Sequence, residues 1–187
     1  MIPVRRLTIV AVLSALSFIL MFFAMPIIPG ADFLQLDLSI LPILVALELF
    51  GLKQASLVLF LRSLLKLLLN NQGVSTMIGL PMNMLAVFSF ILVLTLVWRK
   101  KDSYVQYLLA GGLATLALTL VMLAMNYVYA IPLYATFAGF DIASIIGVGP
   151  YLQAMVLPFN VVAGLVYTVS FGLVWALMKP VMKIYAK

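Results

Sequence analysis

The chain has 187 residues, 66% of them hydrophobic and 9% charged, with a mean hydropathy of +1.27. A soluble domain carries roughly 25% charged residues, so the natural solvent of this chain is lipid. It has no cysteine and no histidine, which excludes a disulfide framework, thiol chemistry and the usual imidazole base or metal ligand; its net charge of +6 lies at the ends of apolar runs, not in the aromatic-interleaved stripe that suits nucleic acid.

Arg5 and Arg6 precede an apolar run from Leu7 to Met25. The run is longer than the ~7–15 residues of a signal-peptide core, so a retained first transmembrane helix is expected from about Val4 to Met25. A loop from Pro26 to Asp37 follows, with two prolines, a glycine and two aspartates. The second helix, Leu38 to Phe50, is short: at ~1.5 Å per residue it covers only about 20 Å. The third is expected over Lys53–Asn70, and the fourth from about Ser75 to Trp98. Arg99, Lys100, Lys101 and Asp102 form a charged break. The fifth helix runs from Tyr104 to about Tyr134. A loop holding Gly139, Asp141, Gly147, Gly149 and Pro150 leads to the sixth, Tyr151 to Met178. There is no internal repeat and no low-complexity linker. The expectation is an all-α membrane protein, one transmembrane domain over residues 1–187 with six transmembrane helices.

Orientation follows from the Lys/Arg bias of the loops. With both termini cytoplasmic, Arg5, Arg6, Lys53, Arg99, Lys100, Lys101, Lys179, Lys183 and Lys187 fall inside, and the outer loops carry Asp32, Asp37 and Asp141 but no Lys or Arg. Trp98, Tyr104, Tyr107, Trp175 and Tyr185 then form an aromatic belt at the inner interface.

This topology places Asn70, Asn71, Asn83, Asn126 and Asn160 in the outer half, with Pro26, Pro29, Pro42, Pro81, Pro132, Pro150 and Pro158. Proline frees backbone carbonyls, which within a membrane need partners or a wet cavity, and an asparagine amide both donates and accepts. The set suggests a polar cavity opening outward and closed toward the cytoplasm. Interhelical packing by the same amides is the alternative. Phe33, Tyr127, Tyr129, Tyr134, Phe137, Phe140 and Tyr151 lie at the same level, able to stack on a planar ring or to form an outer belt.

Arg62 and Lys66 are cations inside a membrane helix, four residues apart and therefore on one face. Lys66 is within reach of Asp37, and Glu48 is the expected partner of Arg62; ligand contact is the other reading of both. Ala11 and Ala15, beside Ser14, make a flat stripe where another helix can approach. Ala110 and Ala114, with Gly111 and Gly112, do the same in helix five. Paired intramembrane aspartates, a Ser/His dyad, a metal cluster and a P-loop are all absent from the sequence, so no catalysis, no metal and no ATP hydrolysis are expected. Energy for any inward transport must come from a partner.

Five segments carry a family resemblance. FLQLDLSILP, from Phe33 to Pro42, resembles the passage from the first loop into helix two of riboflavin S-components, the binding subunits of energy-coupling factor (ECF) vitamin importers. LRSLLK, Leu61 to Lys66, is similar to their third-helix pattern. GLPMN, Gly79 to Asn83, matches the glycine and asparagine of helix four. NYVYAIPLY, Asn126 to Tyr134, and LPFN, Leu157 to Asn160, are the most specific. Ala11 and Ala15 resemble the alanine pair by which S-components dock on the shared coupling subunit.

The resemblance implies a vitamin held near the outer surface under the first loop, with Leu36, Asn83, Asn126 and Asn160 facing it. It extends the candidate ligand site to Phe33, Asp37, Lys66, Gly79, Tyr127, Tyr134 and Pro158, and makes Ala11, Ser14 and Ala15 the partner-binding stripe. The implied partners are riboflavin as transported ligand (no cofactor), a transmembrane coupling subunit and two ABC-type ATPases, in a bacterial plasma membrane. The family often has lysine where this chain has Ala163, and lysine and histidine where it has Arg62 and Lys66. Another vitamin, flavin mononucleotide, or a membrane scaffold role without ligand are the alternatives the residues leave open.

Overall fold

The computed structural model describes residues 4–31, 33–98 and 103–185, and the side chains of residues 4–180 within these. Asp32, Arg99, Lys100, Lys101, Asp102 and Lys187, and the side chains of Lys183 and Tyr185, lie outside the described residues. The elements in chain order are α1 (Val4–Leu20), a 3-10 turn (Met21–Phe23), β1 (Met25–Pro26), β2 (Gln35–Leu36), α2 (Ile40–Phe50), α3 (Leu52–Leu69), α4 (Val74–Val97), α5 (Tyr104–Met125), α6 (Ile131–Phe137), α7 (Ile142–Ile145), α8 (Val148–Pro150) and α9 (Leu157–Tyr185). One π-helical segment, Asn126–Ala130, joins α5 to α6, and another, Tyr151–Val156, joins α8 to α9.

Among the described residues, four stretches are long and apolar enough to cross a membrane: Val4–Phe23, Val74–Val97, Tyr104–Phe137 and Val148–Pro180. The six expected helices are all present as helices, but α2 and α3 fall outside this set. In α3 the reason is composition, since Lys53, Arg62 and Lys66 lower its hydropathy. In α2 it is length. Ile40, Ile43, Leu44 and Ala46 of α2 are almost wholly buried, because α2 packs against α1, α3 and α9. A helix shielded by neighbours needs no full lipid-facing length. Gly51, at φ 86°, turns α2 into α3 in a conformation that favours glycine.

The all-helical expectation has one local exception. Met25 pairs with Leu36 and Pro26 with Gln35, antiparallel, so the first loop is a small hairpin. The loop after α6 is also more ordered than expected. It holds α7, whose N-cap Asp141 accepts from the Ala143 and Ser144 amides, and Gly149 and Pro150 already belong to the last helix.

Two interfaces set the width of the bundle. α5 meets α9 closely enough that a Cβ on Gly111 would lie 2.2 Å from Thr168 Cγ2, and one on Gly164 2.5 Å from Thr115 Cγ2. The small stripe of helix five thus receives α9, and the Thr168 hydroxyl donates to the Gly164 carbonyl at 2.8 Å. At the far end of the bundle from the hairpin, Trp98 is 6% exposed. Its ring centroid lies 5.9, 5.8 and 5.6 Å from those of Tyr107, Phe171 and Trp175. Trp98 is therefore a core residue, not part of an interfacial belt: edge-to-face contacts between α4, α5 and α9 hold it. Tyr104, 74% exposed, faces outward.

Candidate functional site

The hairpin, the middle of α4, the end of α5 and the start of α9 line a partly open cavity of about 140 Å³. Its polar groups come from α4 (Asn83), the π segment after α5 (Asn126), α6 (Tyr134), the π segment before α9 (Tyr151) and α9 (Asn160, Tyr167). Phe33, Leu34 and Gln35 of the hairpin cover it, and Gly79, Met82, Ala86, Leu118, Met122, Phe159 and Ala163 complete its walls.

Proline explains why the backbone is irregular here. Pro132 and Pro158 lack the N–H that would bond the carbonyls of Val128 and Ala154, and their rings crowd those carbonyls. Both carbonyls fall in the π-helical segments, where the widened turn relieves the clash. Pro81 likewise leaves the Met77 carbonyl without its helical donor, and the Tyr129 hydroxyl donates to it at 3.4 Å. The widened turns carry Asn126 and Tyr151 into the cavity wall.

The asparagines are held in defined orientations. Asn126 is 2% exposed; its Nδ2 donates to the Met122 carbonyl at 2.8 Å, and its Oδ1 accepts from the Tyr151 hydroxyl at 2.6 Å. Asn160, also 2% exposed, donates from Nδ2 to the Val156 carbonyl at 2.7 Å. Its Oδ1 has no partner among the described residues. Asn83 accepts through Oδ1 from Arg62 Nη2, which leaves its Nδ2 without a partner among the described residues. The cavity thus offers donors from Asn83 and an acceptor from Asn160. Phe33 lies over this set, its ring 6.1 Å from that of Tyr151 and 6.4 Å from that of Phe140.

Of the residues expected at a ligand, Phe33, Gly79, Asn83, Asn126, Tyr134 and Asn160 line this cavity. Leu36 sits next to the covering hairpin residues and packs against the core. Asp37 accepts from the Ser39 amide at 2.8 Å in the turn just before α2. Lys66 Nζ donates to Asn70 Oδ1 at 2.7 Å on its own helix instead of reaching Asp37. Tyr127 is 61% exposed on the outer surface of the bundle. Pro158 shapes the turn, while the next residue, Phe159, lines the wall.

Arg62 corrects a further expectation. It donates to Ser39 Oγ and Asn83 Oδ1, not to Glu48. The register explains the difference. In an antiparallel hairpin, residues equidistant from the turn lie level, and Arg62, eleven residues after Gly51, stands level with Ile40. Glu48 stands level with Gln54, and faces a separate cavity with Leu94, Trp98 and Phe171. Tyr167 and Gln35 are the polar lining residues that no sequence signal singled out, whereas Tyr151 stands among the outer-level aromatics. For Tyr167 the available clue was that a buried hydroxyl needs a partner.

Of the partner stripe, Ala11 and Ala15 are exposed, whereas Ser14 is buried and its hydroxyl donates to the Val10 carbonyl at 2.7 Å.

Residues 5–180 match the family described as ECF transporter, substrate-specific component. The chain is 52% identical over 178 residues to the riboflavin transporter RibU of Streptococcus thermophilus, covering 95% of this chain and 84% of the relative. It is 42% identical to RibU of Leuconostoc mesenteroides, covering 96% and 94%. A solved structure of the S component of a bacterial ECF transporter superposes with a TM-score of 0.77 at 28% identity, covering 96% of this chain and 98% of that one.

Proposed function

Because this chain belongs to the substrate-specific components of ECF transporters, we propose that it captures riboflavin in the cavity beneath the hairpin. It is a multi-pass membrane protein and a transport component, not an enzyme. The observation that carries the ligand reading is the convergence of three oriented asparagine amides with aromatic rings on one cavity. The pyrimidine edge of an isoalloxazine alternates carbonyl oxygens with a ring N–H. Asn83 supplies N–H groups for a carbonyl and Asn160 supplies an oxygen for the N–H. Phe33, Tyr134 and Tyr151 give the ring its apolar surroundings.

Neither Arg62 nor Lys66 lines the cavity, and both donate to other side chains. That favours a neutral ring over an anionic vitamin or a flavin phosphate gripped by these cations. The cavity of about 140 Å³ is smaller than the ~300 Å³ at which small-molecule pockets begin. Riboflavin therefore needs more room than this, which a shift of the Met25–Leu36 hairpin over the cavity would supply.

In the membrane, the six helices α1, α2, α3, α4, α5–α6 and α8–α9 cross with both termini cytoplasmic, and the cavity faces outward. The support is that Arg5, Arg6, Lys53 and Lys179 all lie toward the end away from the cavity. A coupling subunit with two ATPases supplies the energy, and docks on the exposed face of α1 at Ala11 and Ala15. The test is a riboflavin titration of the detergent-purified protein, read by quenching of flavin fluorescence. Stoichiometric quenching at nanomolar ligand is expected; fluorescence unchanged by the protein sinks the flavin reading.

A further inference from the structure

Arg62 is among the largest fully buried side chains of the described residues, at 0% exposure. A guanidinium in such a place is expensive unless its hydrogen bonds do something. It is not itself among the residues that line the cavity, but it donates to one that is, Asn83. Its Nη1 donates to Ser39 Oγ, its Nη2 to Asn83 Oδ1, and its Nε has no partner among the described residues.

The chemistry of the pair is one-directional. Arginine has five donors and no acceptor, whereas an amide has one end of each kind. Facing Arg62, Asn83 has to turn its oxygen toward the guanidinium, and its NH₂ is left for the cavity. An unheld amide rotates to suit either a donor or an acceptor, and so discriminates weakly between them. The positive charge also polarises the amide and strengthens its outward N–H bonds. The ligand meets the charge through a neutral relay.

We propose that Arg62 is a positioning residue for ligand recognition: it locks the Asn83 amide so that α4 presents only N–H donors, selecting a ring carbonyl oxygen at that wall. This rests on the flavin reading above. It also gives Ser39 a part, since its hydroxyl accepts from the guanidinium at the start of α2. The lock therefore forms when the segment from the hairpin to α2 is in place.

Asn83→Asp is the sharpest test. Aspartate is nearly isosteric, keeps an oxygen for Arg62 as an ion pair, and has no N–H for the cavity; beside a guanidinium it stays ionised. Thermal stability should be retained, while riboflavin affinity falls by about thirtyfold or more, as expected when a carboxylate oxygen meets a carbonyl. Arg62→Met frees the amide and should weaken binding by roughly five- to twentyfold, with Arg62→Lys in between because it still donates. Both variants are titrated with riboflavin and with its 2-thio and 4-thio analogues, whose sulfur accepts hydrogen bonds poorly. Wild-type protein should prefer riboflavin to at least one thio analogue, and that preference should collapse in Asn83→Asp and Arg62→Met.

If Arg62 only supports the fold, all three ligands weaken together and the preference survives, which overturns the proposal. Equal binding of all three ligands by the wild type also overturns it. Should Arg62→Met fail to fold, Arg62→Lys decides: its preference falls between those of the wild type and Asn83→Asp, and an undiminished preference overturns the proposal. Wild-type protein that ignores riboflavin altogether defeats the flavin reading itself, a result distinct from both.

Discussion

At Asn126 both ends of the amide are engaged within the protein, by the Met122 carbonyl and the Tyr151 hydroxyl. One N–H of Nδ2 remains for the cavity, and its direction depends on the Tyr151 bond holding the oxygen. Tyr151→Phe removes one hydroxyl and leaves the ring that packs against Phe33. The expected loss is one hydrogen bond of ~0.5–1.5 kcal/mol, or roughly three- to tenfold in riboflavin affinity, read by fluorescence quenching. Unchanged affinity would mean that Asn126 is positioned by its Met122 contact alone. One-sidedness placed all five asparagines in the outer half, and the family motifs separated Asn83, Asn126 and Asn160, which line the cavity, from Asn70 and Asn71, which do not. Their orientations were not legible, because each is decided by a partner that a helical register brings alongside. Lys66 shows the same limit: Asp37 was within reach by span, but Asn70 lies one turn away on the same helix.

Proline writes the shape of two elements into the sequence more directly. Pro132 and Pro158 each follow a π-helical segment by one or two residues, and those segments deliver Asn126 and Tyr151 to the cavity. Pro158→Ala restores the N–H for the Ala154 carbonyl and lets the helix tighten to a regular turn. Alanine is a strong helix former, so thermal stability should hold or rise. Riboflavin affinity should fall, because tightening rotates Tyr151 relative to Asn160. A variant with both stability and affinity unchanged would show that packing, not proline, maintains the wide turn. The sequence made the apolar runs plain as helices, with bounds close to those observed. It could not disclose the extra residue in a wide turn, nor the pairing of Met25–Pro26 with Gln35–Leu36, since neither alters a hydrophobic period.

For the whole molecule, the central fact is that α2 is short because it is enclosed. A span judged by apolar length presumes lipid on most sides, and α2 has α1, α3 and α9 instead. α1 is the opposite case. It buries only Val10, Ser14 and Ser17, a narrow stripe, and exposes Val4, Leu7, Val12, Leu16 and Ile19. An outer helix so loosely covered has room for a partner, and the small side chains of Ala11 and Ala15 lie on its exposed side, where a second helix can approach closely. Ser14 is turned inward and belongs to the fold. Ala15→Trp adds a large ring on that face without touching the cavity, which α1 does not line. Riboflavin binding by the purified protein should remain at wild-type affinity, while uptake into cells carrying the coupling subunit and its ATPases should be lost. Ser14→Trp should instead lower thermal stability, since the ring would have to enter the bundle. Normal uptake by Ala15→Trp would move the docking surface off this face of α1, and weakened binding would tie α1 to the cavity through the Ser17 hydroxyl, which donates to the Ser39 carbonyl beside Arg62.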